Sequence, residues 1–130
     1  MGAAIAATLL YLVILRGSSD PGERVTGNRV AVTLSEFKIV PQSINVKQGN
    51  LQLIVTNKGK QIHNLQIESI VDPASDAQPT ILLRVPAMQP GQTKESPAGG
   101  ATLPPGKYVW RSSISNDDDL GMYGNVEVRQ

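Results

Sequence analysis

The chain has 130 residues and a formal net charge of +1, which leaves room for one ordinary domain with a short extension and offers no basic field for nucleic acid. It contains no cysteine, so disulfides, cysteine-bearing zinc sites, iron–sulfur clusters and thiol catalysis are excluded together. A single histidine, His63, leaves little for acid–base chemistry or a multi-histidine metal centre, and no enzyme is expected.

Ala3 to Leu15, AAIAATLLYLVIL, is uncharged and almost wholly apolar, with Thr8 the one polar exception. As a helix it would span about 20 Å, short of the roughly 30 Å of bilayer hydrocarbon unless Met1, Gly2 and the stem of Arg16 extend it. A signal peptide would carry basic residues before the apolar run and a small-residue cleavage site after it; a soluble core helix would show a polar stripe. Neither feature is present, so residues 1–16 read as a membrane anchor. Arg16 follows the segment, and basic residues upstream of Met1 are what an outward-facing domain would call for. Gly17 to Asn28, GSSDPGERVTGN, reads as a linker, and residues 29–130 as the domain.

From Val30 the pattern is β. VAVTL, FKIVP, SINV, LQLIVTN, QIHNLQIES, TILLRVPAM, KYVWRSSI and NVEV follow one another, separated by Gly, Pro and Asn, with no capped helical pattern between them. The expected fold is all-β, an antiparallel sandwich or Greek-key barrel. Alternation puts Leu51, Leu53 and Val55 on one face with Gln52 and Thr56 opposite. It puts His63, Leu65 and Ile67 on one face with Asn64 and Gln66 opposite. Tyr108, Trp110 and Ser112 likewise share a face, with Val109, Arg111 and Ser113 on the other. Ser112 and His63 therefore point inward and need hydrogen-bond partners. Residues 71–79 read as an exposed loop.

Several segments in fixed order carry a family resemblance: EFKIVPQSINVKQGN (Glu36–Asn50), NKGKQIHNLQI (Asn57–Ile67), MQPGQT (Met88–Thr93), LPPGKYVW (Leu103–Trp110) and the Gly-Met-x-Gly of Gly121–Gly124. In this order the domain resembles a cupredoxin, the fold of the small blue-copper proteins. That resemblance implies a Greek-key sandwich and a copper held by two histidines, a cysteine and usually a methionine, a donor set suited to both copper oxidation states. By position the first histidine falls on His63 and the methionine on Met122. The cysteine position falls on Ser112 and the second histidine on Asp117, with no gap in the loop.

Ser112 cannot replace a thiolate, because its hydroxyl keeps its proton near neutrality and is a hard donor. Type 1 copper electron transfer is therefore not expected, and His63, Ser112, Asp117 and Met122 read as vestigial positions with no cofactor. Two uses of the remnant stay open: a weak Cu(II) or Zn(II) site through His63, Asp117 and Met122, or a metal-free pocket in which Asp117 or Ser112 hydrogen-bonds His63. In the acidic run Asp117–Asp119, two carboxylates are expected merely to keep the loop solvated, since calcium would want alternating oxygen ligands.

The expectation is a membrane-anchored, extracytoplasmic, cupredoxin-like accessory or structural subunit of a larger respiratory or photosynthetic electron-transfer complex, not itself redox-active. Its partners would be subunits of that complex and, through residues 1–16, the lipid bilayer, with no nucleic acid. The alternative is a periplasmic, low-affinity copper- or metal-binding protein.

Overall fold

A computed structural model describes residues 22–96 and 100–130. The expected anchor, residues 1–16, lies outside the described residues. Among the described residues the strands are β1 (Glu23–Arg24), β2 (Arg29–Ser35), β3 (Lys38–Val40), β4 (Ile44–Lys47), β5 (Asn50–Asn57), β6 (His63–Ser69), β7 (Ile81–Met88), β8 (Thr93–Glu95), β9 (Ala101–Thr102), β10 (Gly106–Arg111) and β11 (Tyr123–Arg129), with one short helix, α1 (Asp117–Leu120), before the last strand. They form two sheets, one in the order β1-β4-β11-β10-β6-β7 and the other β3-β2-β5-β8, with β9 also pairing β5.

The sandwich forms because the strands alternate. In β2, Val30, Val32 and Leu34 are buried while Arg29 and Ala31 are exposed; in β5, Leu51, Leu53 and Val55 are buried while Gln52, Ile54 and Thr56 are half-buried. These side chains meet Ile44, Val46, Leu65, Ile67, Val85, Trp110, Val126 and Val128 of the facing sheet in one aliphatic core. Each fully buried Val, Leu or Ile contributes about 1.5–3 kcal/mol relative to exposure. Trp110, the largest buried side chain, donates its indole N–H to the Gln42 carbonyl at 2.7 Å, so its one polar atom is satisfied inside the core.

The structure departs from the sequence reading in four places. The sheets are mixed, since β1–β4, β4–β11 and β2–β5 pair in parallel. The chain crosses between sheets after β1, β3, β4, β5, β7 and β9, so sheet neighbours are often distant in sequence and antiparallel hairpins do not dominate. Part of the segment expected as linker joins the sheet: Glu23–Arg24 pairs with Ile44–Asn45, and Val25 packs against the core. A four-residue helix stands where only a loop was expected. Finally, β6 is buried on both faces, for Asn64, Gln66 and Glu68 are buried as well as His63, Leu65 and Ile67. Strand β6 lies between β10 and β7, and the Arg111 side chain pairs with Glu68 over its outer face.

Candidate functional site

The site lies at one end of the sandwich, where three segments converge. His63 opens β6, and its inward position follows from the alternation that also buries Leu65 and Ile67. Ser112 follows the last residue of β10, on the same face as Trp110. Asp117 begins α1, and its backbone carbonyl accepts the Met122 N–H at 3.0 Å, while the Ser112 N–H reaches the Met122 carbonyl at 3.2 Å. The loop is thus closed on itself before β11 starts. Gly121 makes that closure possible: its φ is +134°, and a Cβ there would stand 2.6 Å from the Phe37 carbonyl oxygen.

Three of the four expected positions meet in one hydrogen-bonded group. His63, fully buried, sets Nδ1 2.8 Å from Asp117 Oδ2. The same carboxylate oxygen lies 2.8 Å from Ser112 Oγ, which also lies 3.1 Å from Asn64 Oδ1 and accepts the Asn64 N–H at 3.4 Å. Asn64 is fixed in turn by the Ser113 N–H, which donates to its Oδ1 at 2.7 Å, and by its own Nδ2, which donates to Ser113 Oγ at 2.8 Å. Met122 joins through its backbone only, and its side chain belongs to the hydrophobic core.

The remaining partner, Glu36, was not expected. It sits in the turn between β2 and β3 and places Oε2 2.5 Å from His63 Nε2, while Oε1 accepts the Lys60 N–H at 2.6 Å. Gly59 leaves the space, since a Cβ there would collide with the Glu36 carboxylate. The turn over residues 57–60 is itself held by Asn57, whose Oδ1 accepts the Gly59 N–H at 2.9 Å. The Phe37 ring meets the imidazole edge-on at 6.5 Å between centroids. One carboxylate in a turn gives no sequence signal of its own. The hint available was that Glu36 and the Asn57-x-Gly59-x-x-x-His63 segment both belong to the stretches that carry the resemblance.

Electrostatics follow the geometry. Burial alone would lower the pKa of His63, but the hydrogen bonds and charges of Glu36 and Asp117 outweigh it and raise the pKa above its ordinary 6.5. Glu36 is held below its ordinary 4.5, first by its hydrogen bond to His63 and then by the Lys60 N–H. Just outside this group a second one occupies the outer face of the sheet. Arg111 donates from Nε to Glu68 at 2.7 Å and from Nη1 to Asp118 at 2.9 Å. Of the acidic run, Asp117 and Asp118 are therefore engaged in opposite directions and only Asp119 is simply exposed.

These residues do not fit a type 1 copper. The thiolate position holds a hydroxyl already committed to Asp117 and Asn64, the second imidazole position holds a carboxylate, and both nitrogens of the one imidazole face carboxylate oxygens. Glu36 and Asp117 lie on opposite ring nitrogens, so the three groups do not converge on one point. Among the described residues, no group of three or more His, Cys, Asp or Glu side chains is arranged to hold a metal ion.

No family model matches the chain, and no curated protein matches it. Solved structures do. A reduced auracyanin from the photosynthetic bacterium Roseiflexus castenholzii superposes with a TM-score of 0.67 at 16% identity, over 82% of this chain and 100% of that one. Auracyanin B gives 0.65 at 17% identity, over 85% and 96%. The azurin Az-iso2 from Methylomonas sp. strain J gives 0.63 at 12% identity, over 81% and 100%. With the sandwich, the closed loop and these superpositions together, the described chain has a cupredoxin-like fold.

Proposed function

We propose that this protein is a non-redox, membrane-anchored accessory subunit, its cupredoxin-like domain placed outside the cytoplasm against the other subunits of an electron-transfer complex. The observation that carries the reading is the Ser112–Asp117–His63–Glu36 chain, in which the residues at three ligand positions of a copper site hydrogen-bond one another and Glu36 closes the far side of the imidazole. Such a pocket fixes the end of the sandwich rigidly and transfers no electron. The apolar run of residues 3–15 supports the anchor. The electron-transfer setting is supported by likeness of fold to the auracyanins, two of which come from photosynthetic bacteria, one of them a "blue" copper protein.

The alternative, a low-affinity metal carrier, would need His63 Nδ1 to exchange Asp117 for a metal without the thiolate that makes the family's sites strong. Solubilising native membranes in mild detergent and isolating this chain tests the subunit reading. It should co-purify in fixed stoichiometry with other membrane proteins, and recovery solely as a free monomer would overturn it.

A further inference from the structure

We propose that the cation of this pocket is the His63 imidazolium itself, and that losing one proton opens the Glu36 side of the pocket while the Asp117 side stays closed. This rests on the non-redox reading of the same residues and adds how the pocket is regulated.

A carboxylate has only acceptor sites, and a neutral imidazole has one N–H and one lone pair. His63 faces a carboxylate oxygen at each nitrogen, 2.8 Å from Asp117 and 2.5 Å from Glu36. With both carboxyl groups ionised, both contacts are attractive only if both nitrogens carry protons. The pocket then holds two carboxylates around one imidazolium, with the Ser112 hydroxyl and the Lys60 N–H as further donors. The charged groups acting on His63 are Glu36 from the β2–β3 turn and Asp117 from α1. Ser112, Asn64 and the Phe37 ring, which pack around them, are neutral.

The two arms are not equivalent. The Asp117 side chain is 5% exposed, shares its oxygen with Ser112, and its backbone is locked by Met122. The Glu36 side chain is 23% exposed and can turn to water. A carboxylate left unpaired in the interior is far more costly than one that hydrates. When the ring gives up a proton to water, it therefore gives up the one on Nε2. The Nε2 lone pair then faces an anionic oxygen, so Glu36 swings outward and releases the Lys60 N–H. The turn over residues 57–60 loosens, while Nδ1–H, Asp117, Ser112 and the closed loop persist.

The test is a metal-free pH titration of the 130-residue chain in detergent micelles, reading the His63 ring nitrogens and backbone amide exchange by NMR. We expect both ring nitrogens protonated below pH 6.5, a midpoint above 6.5, and the Nδ1–H tautomer beyond it. Protection of the Lys60 amide should fall with that same midpoint, while the Ser112 and Met122 amides stay protected. In Glu36→Gln the midpoint should move down and the Lys60 amide should lose its pH response. Asp117→Asn should also lower the midpoint.

A ring already singly protonated below pH 6.5, an Nε2–H tautomer beyond the midpoint, or Lys60 protection indifferent to pH would each overturn the proposal. If Glu36→Gln does not fold, the wild-type titration decides alone. Copper binding would defeat the underlying reading through its own absorption and paramagnetic signals, which a metal-free titration does not record, so the two failures are separable.

Discussion

Two charge clusters lie on opposite faces of the same sheet and are built to the same plan. The inner one sets His63 between Glu36 and Asp117; the outer one sets Arg111 between Glu68 and Asp118. Consecutive residues of α1 supply one carboxylate to each. What differs is the cation. A guanidinium is charged at any pH the protein meets, and here burial, which would lower its pKa, is outweighed by Glu68 and Asp118, which raise it further. An imidazolium is charged only while it holds a proton that leaves near physiological pH. The same geometry is a permanent brace on one face and a proton-dependent one on the other. The outer cluster is also less complete, for Gln66 donates to Glu68 yet its own Oε1 is buried without a hydrogen-bond partner.

The largest effect should come from breaking the inner cluster. His63→Ala leaves Asp117 buried with only a hydroxyl to face it and opens a cavity. It should cost about 3–5 kcal/mol in chemical denaturation. Arg111→Ala should cost less, about 1.5–3 kcal/mol, because Arg111 is 29% exposed and Gln66 still donates to the Glu68 carboxylate after its loss. A cost above that of His63→Ala would invert the comparison.

Stability against pH sharpens it further. The raised pKa of His63 means its contribution is full below pH 6.5 and is lost as pH rises through the raised value. The lowered pKa of Glu36 means its contribution is present above pH 4.5 and is lost as pH falls through the lowered value. Denaturation midpoints should therefore be highest between pH 4.5 and 6.5 from these two groups and decline on either side. The alkaline decline should vanish in His63→Ala and survive in Arg111→Ala. The smallest effect belongs to Arg29→Ala, which removes an exposed pair with Glu95 at 3.2 Å and should cost about 0–1 kcal/mol.

The same contrast marks how far the sequence could be read. Strand β5 was fully legible, since an alternating strand with one wet face needs only local information. Strand β6 shows the same alternation, yet its outer face is buried under side chains from distant positions, Arg111 among them. Periodicity assigns a face; it does not say what covers that face. The convergence of His63, Ser112 and Asp117 was legible because the loop spacing matched a known family without a gap. Glu36 was not, for nothing in a single carboxylate in a turn says that it closes on a histidine 27 residues away. Strands β1, β8 and β9 are two or three residues long and carry too little pattern to stand out from loop.

We propose that side chains, and not a metal, complete this pocket. Titrating the chain with Cu(II) in detergent at neutral pH, followed by calorimetry and visible absorption, tests it most directly. The account predicts no blue charge-transfer band and no saturable site of micromolar or tighter affinity. Micromolar or tighter binding that disappears in His63→Ala would contradict it.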